Sequence, residues 1–190
     1  MKIISLIIKE IRYRKVTFLF SVMAAMLRLT SGSVCVAKKN LYEITVAART
    51  KFRAKTIGFV FQIFHLLPYL NVIENIALAG KNYPKNDIKN ILEKLNLKHR
   101  AYHKPSQLSV GEKQRTAVAR VLINKPKIIL ADEPTGNLDP ENAKIIFEYL
   151  VDFHRNKGTV ILVTHGREPL KFANRTICIK NGTIDNENDS

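Results

Sequence analysis

Short apolar runs and amphipathic stretches alternate along most of the chain. Runs rich in β-branched or aromatic residues predict buried strands at residues 33–37, 57–61, 128–131, 159–163 and 176–180. Capping residues predict helices at residues 71–78 and 109–124, and apolar positions at helical spacing predict a third helix at residues 86–96. Pro140 begins a further helix, which ends before Gly158. This alternation of strands and helices predicts an α/β fold.

The amino-terminal residues have a different pattern. Ile4, Ile7, Ile8 and Ile11 stand at helical spacing, and residues 16–27 form an apolar run. This run of about twelve residues is shorter than the roughly eighteen that a membrane-spanning helix needs. We therefore predict a continuous or kinked helix over residues 3–27, packed on or projecting from an incomplete sheet.

Two adjacent carboxylates follow one of the predicted strands. The strand at residues 128–131 is apolar throughout, which is typical of a strand buried on both faces, and Asp132 and Glu133 come directly after it. Open α/β sheets bind their ligands at the carboxyl ends of their strands. Adjacent acids there suit a division of labour, in which one holds Mg²⁺ and the other polarises the water that attacks a phosphate. The local pattern alone also fits an ordinary solvated turn.

The segment LSVGEKQRTAVARVLINKPKIILADEPTGNLD, residues 108–139, resembles the nucleotide-binding subunit of ABC transporters. LSVGE is similar to the family's LSGGQ loop, IILADE to its Walker B strand with the catalytic glutamate, and GNLD to its D-loop. Gln62 in IGFVFQ matches the Q-loop glutamine, and His165 in VILVTHG matches the switch histidine. The text FHLLPYLNVIEN resembles the subfamily that drives lipoprotein-releasing, macrolide-exporting and cell-division permeases. The resemblance covers residues 30–184.

This resemblance implies a hydrolytic role for four of the matched residues. Asp132 would hold Mg²⁺, and Gln62 would touch both the metal and the attacking water. Glu133 would orient that water as the catalytic glutamate. His165 would contact the γ-phosphate and complete the site.

The resemblance also implies a second half-site, used by the opposite subunit of a dimer. Ser109 and Gly111 stand at a helix amino terminus, where free N–H groups and the helix dipole favour a phosphate. Asp139 of the D-loop belongs to the same cofactor-binding set. Val110 replaces the family's usual glycine, and its β-branched side chain crowds the approach to a nucleotide.

A P-loop NTPase-like fold, with a RecA-like core and a helical subdomain, is the architecture that the resemblance implies. It divides the chain into a basic and apolar segment at residues 1–29, a nucleotide-binding domain at 30–184 and a polar tail at 185–190. ATP and Mg²⁺ are the implied cofactors. The implied partners are an integral-membrane permease of the FtsX or MacB type and a second nucleotide-binding subunit, in a homodimer or heterodimer. The implied location is cytoplasmic, on the inner face of the cell membrane.

The family's phosphate-binding loop, GxxxxGK[ST], is missing from this sequence. None of the eight glycines precedes Gly32, although the family loop stands well upstream of that position. The single Gly-Lys pair, Gly80-Lys81, follows a helical pattern and lacks the rest of the motif. Because the amides and lysine of that loop hold the phosphates, we expect the chain's own ATPase to be weak or inactive. Lys15 is the first candidate to replace the family lysine if activity is found.

Three interpretations of residues 1–29 stay open. A basic lead and a short apolar run resemble a signal sequence or signal anchor. The text IISLIIKEIRYRKVTFLFSVMAAM also resembles the start of an FtsX-type permease. Thirdly, residues 16–29 stand where the family has the helix that follows Walker A. The apolar residues that would pack that helix are Phe18, Leu19, Val22, Met23, Met26 and Leu27.

Charge bears on the choice of partner. The chain has 31 Lys and Arg against 16 Asp and Glu, a formal net charge of +15. The basic residues are scattered and form no reader motif, so nucleic-acid binding is not expected. An anionic inner membrane leaflet accounts for the charge as well. The two cysteines, Cys35 and Cys178, lack metal-binding spacing and fit a reducing compartment.

The leading hypothesis is an ABC transporter ATP-binding subunit whose own ATPase is impaired. A first alternative is a non-catalytic partner that lends its LSVGE loop to an intact subunit. A second is a non-functional, truncated gene product. A basic nucleic-acid-binding module ranks last.

Overall fold

The structure of the chain, a computed structural model, describes residues 6–9, 20–21, 23–24, 26, 32–80, 84–166, 168–180 and 183–185. Its strands are β1 (Leu6–Lys9), β2 (Cys35–Val36), β3 (Lys39–Asn40), β4 (Ile57–Phe61), β5 (Ile128–Asp132), β6 (Thr159–Val163), β7 (Arg175–Lys180) and β8 (Thr183–Asp185). The α-helices with described bounds are α1 (Val46–Thr56), α2 (Val72–Ala77), α3 (Lys85–Lys94), α4 (Val110–Leu122) and α5 (Pro140–Arg155). Short 3₁₀ segments lie at Lys98–Arg100, Pro105–Gln107 and Glu168–Phe172.

One sheet contains six of these strands, in the order β4–β5–β6–β1–β7–β8. Neighbours from β4 to β7 are parallel, and β8 runs antiparallel to β7. The register aligns Ile57 of β4 with Ile128 of β5, which in turn aligns with Thr159 of β6. The loops that follow β4, β5 and β6 therefore leave the sheet at the same edge. This parallel sheet confirms the predicted α/β fold class.

β1 corrects the prediction for the amino-terminal residues. It lies inside the sheet, with Ile8 paired to Val163 of β6 on one side and to Ile177 of β7 on the other. The helix predicted over residues 3–27 is therefore wrong at residues 6–9, and the sheet does not lack a central strand there. A strand covered on both faces is apolar at nearly every position, so isoleucines at helical spacing also fit such a strand. Pairing with β6 and β7, far away in the sequence, decided between the two.

The helical part of the amino-terminal prediction applies further along the chain. Phe20, Ser21 and Met23 are helical. Phe20 and Ala24 are buried in a cluster with Ile57, Leu130 and Val163 of the sheet. Met23 packs against this cluster, whereas Met26 is 54% exposed. This packing agrees with the interpretation of residues 16–29 as a helix that covers the sheet. The other residues named for that interpretation, and the candidate Lys15, lie outside the described residues.

Local capping signals are confirmed where the sequence predicted them. The Asn71 side chain accepts a hydrogen bond from the Glu74 amide at 2.9 Å, and the Glu74 carboxylate accepts one from the Asn71 amide at 2.8 Å. Ser109 and Glu112 form the same reciprocal cap at the start of α4. Pro140 occupies the first turn of α5. These signals are readable because both partners lie within four residues of each other.

Helix α1 has no counterpart among the predicted elements. Its sequence, VAARTKFRAKT, has four cations and buries only Thr56, so no apolar stripe reveals it. Thr45 caps it by accepting a hydrogen bond from the Ala48 amide at 3.2 Å. The strand predicted at residues 33–37 is also shorter than expected. Ala37 and Lys38 have left-handed φ values of 49° and 65°, and they turn the chain into β3.

Asn75 is a buried polar residue that fixes the segment between β4 and α2. Its side chain is 0% exposed. Its amide nitrogen donates to the carbonyls of Leu67, Leu70 and Asn71 at 2.9–3.1 Å, and its amide oxygen accepts from the Leu67 N–H at 2.8 Å. Such a satisfied buried amide holds a loop that has little regular structure of its own.

Gly58 provides a test of how closely α4 approaches β4. A Cβ atom at this position would lie 2.3 Å from Cγ1 of Val121. We expect Gly58→Ala to lower the free energy of unfolding by about 1–3 kcal/mol, because it overpacks a close contact. Equilibrium unfolding in urea measures this change. The double variant Gly58→Ala/Val121→Ala removes the clashing methyl group and should recover part of the loss. Wild-type stability in the single variant would contradict the close approach.

Candidate functional site

Three strand ends converge at the carboxyl edge of the sheet. The register pairs Asp132 of β5 with Phe61 of β4 on one side and with Val163 of β6 on the other. The residues that follow these three strand ends are Gln62, Glu133 and Thr164. The backbone pairing of the sheet therefore brings together residues that are about a hundred positions apart in the sequence.

Glu133 lies at the centre of this edge. Its backbone has a left-handed φ of 42°, and its amide donates to the Val163 carbonyl at 2.9 Å. Its Oε2 accepts a hydrogen bond from the Thr164 hydroxyl at 3.1 Å, and its Oε1 accepts one from the His165 amide at 2.8 Å. The side chain is only 14% exposed. Both carboxylate oxygens are thus held in fixed positions by the chain that follows β6.

His165 also approaches Glu133 through its ring. Its Nδ1 lies 2.7 Å from Oε1 of Glu133, while the side chain is 78% exposed. An ionised carboxylate only accepts hydrogen bonds, so Nδ1 carries a proton in this contact. In the neutral ring, Nε2 then has an open lone pair that is available to a further donor. The structure thus brings together the predicted catalytic residues Glu133 and His165.

Asp132 and Gln62 are the predicted metal ligands. Asp132 is half-buried at the end of β5, and Gln62 follows the neighbouring strand β4. Within the described ranges, no group of three or more His, Cys, Asp and Glu side chains gathers to hold a metal ion. Mg²⁺ commonly uses only one or two protein ligands together with phosphate oxygens, so this arrangement fits Mg²⁺ delivered with a nucleotide.

The Gln62 side chain contacts the loop that follows β5. Its Nε2 donates to Oδ1 of Asn137 at 3.1 Å, and Nδ2 of Asn137 donates back to the Gln62 carbonyl at 3.4 Å. Gly136 lies beside this pair, because a Cβ atom there would be 2.9 Å from Nε2 of Gln62. Asn137 is therefore a contact of Gln62 that its sequence position did not indicate.

The LSVGE loop forms the amino terminus of α4. The Ser109 hydroxyl caps the helix by accepting from the Glu112 amide at 3.2 Å. Gly111 is buried against Asn142 of α5, since a Cβ atom there would lie 2.1 Å from Oδ1 of Asn142. Val110 is 45% exposed at the first position of the helix. The predicted phosphate-facing helix end is therefore formed, with a branched side chain on its open side.

Asp139 has a structural task in this arrangement. Its carboxylate caps α5 by accepting from the Asn142 amide at 2.9 Å and from Nδ2 of Asn142 at 2.7 Å. These hydrogen bonds from Asn142 lower the pKa of Asp139 below its usual value. Asn142 accepts in turn from Nη1 of Arg115 on α4 at 2.6 Å. Asn142 thus joins the amino end of α4 to Asp139; cofactor binding by Asp139 stays a prediction.

Sequence reasoning missed several residues that support the site. Gln114 is 0% exposed, and its Nε2 donates to the carbonyls of Pro134 at 2.7 Å and Phe61 at 3.3 Å. Its position was a usable signal, because it shares a helical face with three apolar residues, Ala117, Val118 and Val121. Thr164 and Asn137 had no such signal, because their partners Glu133 and Gln62 lie on other elements. Asn142 contacts Asp139 three residues earlier, but its contact with Arg115 lies on another helix.

Comparison with known proteins gives consistent results. A family model described as ABC transporter matches residues 16–136. The lipoprotein-releasing system ATP-binding protein LolD 2 of Caulobacter vibrioides is 39% identical over 165 residues, which cover 83% of this chain and 72% of that protein. LolD of Shewanella oneidensis is 37% identical over 173 residues, covering 87% and 75%.

Solved structures agree with these relatives. The dimeric structure of MJ0796, a bacterial ABC transporter cassette, superposes with a TM-score of 0.85 at 32% identity over 97% of this chain and 86% of that chain. The structure of cbiO1 from Clostridium perfringens, part of the ABC transporter complex cbiONQ, gives a TM-score of 0.82 at 27% identity over 97% and 78%. These similarities confirm the P-loop NTPase fold that the sequence resemblance implied.

Thr164 tests how the Glu133 carboxylate is held. We expect Thr164→Val to lower the free energy of unfolding by about 1–3 kcal/mol, because it removes the hydroxyl that donates to Oε2 of a largely buried carboxylate. Equilibrium denaturation measures the change, and Thr164→Ser, which keeps the hydroxyl, is the matched control. A double-mutant cycle with Glu133→Gln should show coupling of at least about 0.5 kcal/mol. Strictly additive variants would rule out the contact.

The charge of Glu112 contributes to the cap of α4, and its contribution can be tested through the pH dependence of stability. Its buried carboxylate accepts from the Ser109 amide at 2.8 Å and from Nε of Arg100 at 2.9 Å. Burial raises the pKa of Glu112, but the hydrogen bonds from Ser109 and Arg100 outweigh this effect and lower it below the ordinary value of 4.5. The folded state therefore favours the ionised form of Glu112 more strongly than the unfolded state does.

The sign of the resulting pH dependence follows from linkage. Stability from Glu112 is fully present above the unfolded pKa and disappears as the pH falls through the lower folded pKa. We expect the difference in free energy of unfolding between wild type and Glu112→Gln to be constant near neutral pH and to shrink below pH 4.5. The exposed Glu148→Gln substitution on α5 serves as control. A difference that grows on acidification would contradict the assigned direction.

Proposed function

This chain belongs to the ABC transporter family of ATP-binding subunits, and on that premise we propose that it couples ATP to a permease of the FtsX or MacB type. We propose further that its own ATPase is impaired, and that its LSVGE loop still serves the nucleotide of a partner subunit. The LolD relatives are named for lipoprotein release, which suggests an extracted lipoprotein as the substrate class. The site of action is the cytoplasmic face of the cell membrane.

The observation that carries this proposal is the fixed Glu133 carboxylate. Thr164 and His165 hold both of its oxygens, and Gln62 follows the adjacent strand. A general base must be oriented before it can activate a water molecule, and positioning supplies most of the catalysis in phosphoryl transfer. The fixed position of Glu133 at this edge of the sheet therefore supports a role for the chain in an ATP-hydrolysing transporter.

Mg²⁺ and ATP fit the donor chemistry of this edge. Asp132 and Gln62 supply the carboxylate and amide oxygens that Mg²⁺ prefers. The metal, when bound, would neutralise charge on the phosphate oxygens. The residues of this chain would then have separate tasks: Glu133 would orient water, the exposed His165 ring would be available to the γ-phosphate, and Gln62 would relay the state of the site to the loop that follows it.

Impairment follows from the missing GxxxxGK[ST] sequence. A phosphate cradle contributes several charge-assisted hydrogen bonds, each worth about 1.5–3 kcal/mol. The loss of three such bonds weakens binding by more than about a thousandfold, since 1.4 kcal/mol corresponds to a factor of ten. Hydrolysis by this chain alone is therefore expected to be negligible, even though its hydrolytic edge is assembled.

The trans role is supported by the state of the α4 amino terminus. Ser109 caps the helix, and Gly111 packs on Asn142, so the first amides of α4 are held in a helical arrangement. Such a terminus favours a phosphate through its N–H groups and dipole. The exposed Val110 side chain narrows the space through which a phosphate would reach these amides, but it leaves the amides themselves in place.

An exposed apolar surface next to Gln62 supports a protein partner. Ile63 and Tyr69, in the loop after β4, are 61% and 66% exposed, and Tyr102 is 81% exposed. The loops of Tyr69 and Tyr102 are neighbours, because the Val72 amide donates to the carbonyl of residue 103 at 3.0 Å. Exposed aromatic side chains are typical of interaction surfaces.

Among the described residues no helix is both long and apolar enough to span a membrane.

The first experiment measures turnover. We expect the purified chain to show no measurable Mg·ATP hydrolysis, because nothing in its sequence replaces the phosphate loop. Nucleotide affinity, measured by calorimetry, should likewise be at least about a thousandfold weaker than for an intact homologous subunit. Robust hydrolysis that disappears in Glu133→Gln would instead show that another segment replaces the loop, with Lys15 as the first residue to substitute.

The second experiment measures trans complementation. Mixed with an intact, hydrolysis-deficient homologous subunit, this chain should form a heterodimer only when ATP is present. Ser109→Arg should abolish the complex through bulk at the phosphate contact. Ser109→Asp should do the same by charge repulsion while it retains a helix cap. The matched control is Ser106→Arg, an exposed serine outside the loop.

Gel filtration with and without ATP decides between the outcomes. Co-elution that depends on ATP and on Ser109 supports the trans role. Separate elution at saturating ATP would mean that the half-site does not act, and the chain would then be a non-functional remnant. Co-elution without ATP would point to an interface elsewhere on the chain.

A further inference from the structure

Residues 62–65 form a short irregular segment directly after β4, which bends at residues 62 and 63 and is called the Gln62 turn below. His65 has a left-handed φ of 48°, and its ring meets the Phe61 ring edge-on at 5.2 Å between centroids. A left-handed conformation at a residue other than glycine costs on the order of 1–3 kcal/mol and persists only where neighbours enforce it. The chemical groups that hold this turn therefore bear on the position of Gln62 inside it.

Arg120 of α4 binds two backbone carbonyls of the Gln62 turn. Its Nη2 donates to the Phe64 carbonyl at 2.9 Å, and its Nη1 donates to the His65 carbonyl at 2.7 Å. The guanidinium therefore spans two consecutive carbonyls of the strained turn. Both bonds are charge-assisted and lie in the plane of one rigid group, which fixes the distance between the two acceptors.

The chemistry of this contact favours arginine. Arg120 is half-buried, and this burial lowers the pKa of its guanidinium from the ordinary value. A guanidinium remains charged under such conditions and presents its donors in a fixed fork, whereas an ammonium is a single, strongly hydrated point charge. A lysine at position 120 would retain a positive charge but would lose the geometry that matches two neighbouring carbonyls.

A second side chain of α4 holds the backbone on the other side of Gln62. Gln114 is fully buried and donates to the Phe61 carbonyl at 3.3 Å, directly before Gln62. Gln114 and Arg120 are about 9 Å apart along the helix axis, at 1.5 Å per residue. One rigid helix therefore holds the chain both before and after Gln62.

We propose that Arg120 is a positioning residue for Gln62, through which α4 sets the orientation of the loop that follows β4. Because α4 begins at the LSVGE loop, a shift of this helix on phosphate contact would move the Gln62 backbone with it. The task of Gln62 in this scheme rests on the proposed function, but the mechanical link between Arg120 and Gln62 does not.

The link can be tested in the full chain without nucleotide. The probe is the side-chain amide signal of Gln62 in a ¹⁵N correlation spectrum, assigned by its loss in Gln62→Glu. Arg120→Met keeps the length of the side chain but removes its donors, and it should shift the Gln62 and Asn137 side-chain amide signals, although position 120 contacts neither. Exchange of the amides in residues 62–66 should accelerate by about tenfold or more, as expected for the loss of a charge-assisted hydrogen bond.

Two further variants make the result specific. Arg120→Lys keeps the charge without the fork and should still shift the Gln62 signal. Asn124→Ala removes a donor to the Ala79 carbonyl from the turn just after α4 and should leave Gln62 unchanged. If Arg120→Met does not fold, Arg120→Lys carries the test.

Two outcomes would contradict the positioning role of Arg120. Unchanged Gln62 signals in both arginine variants would mean that Arg120 does not position the residue. Equal acceleration of exchange in all segments would reduce Arg120 to a general stabilising contact. A chain that fails to bind ATP or a partner subunit can still pass this test, so failure of the proposed function is distinguishable from failure of the link.

Discussion

The parallel register of β4, β5 and β6 is the constraint on which the rest of the structure depends. Backbone hydrogen bonds align Phe61 with Asp132 and Asp132 with Val163, so the three following loops leave the sheet at one level. Side chains of loops that are 32 and 75 residues apart in the sequence are then close enough to form hydrogen bonds. A slip of one residue in this register would turn the side chains to opposite faces and separate Gln62 from Glu133.

Within that frame, groups of the chain itself hold the Glu133 carboxylate. Glu133 is fixed by a left-handed backbone conformation and by donors from the segment after β6. The cost of holding a carboxylate there is offset by these hydrogen bonds, because a largely buried charge without donors is strongly unfavourable. The groups that hold Glu133 follow β6 and therefore do not depend on the GxxxxGK[ST] sequence, which the chain lacks.

Helix α4 connects the LSVGE loop with the segment of chain that contains Gln62. Its amino terminus carries the LSVGE loop, its buried Gln114 bonds the chain around both β4 and β5, and its Arg120 holds the turn beyond Gln62. Polar contacts to backbone carbonyls are directional, whereas the apolar packing of the same helix on the sheet is not. The apolar face therefore stabilises the position of α4, and the polar contacts determine how its movement would be transmitted.

The sequence by itself determined the features whose causes are local. Apolar runs predicted β4, β5 and β6, and reciprocal caps predicted the starts of α2 and α4. The motif residues Gln62, Glu133 and His165 all follow strand ends at one edge of the sheet, and their catalytic roles stay a prediction. Only the tertiary structure decided that residues 6–9 are a strand, because an isoleucine-rich segment suits a helix or a doubly covered strand until β6 and β7 flank it. It also decided the contacts of Asn137 with Gln62 and of Arg120 with His65, which span 75 and 55 residues. The sequence around each of these residues has no pattern that would predict its partner. A hydrogen bond between distant loops depends on how the elements between them pack, and the sequence alone does not give that packing.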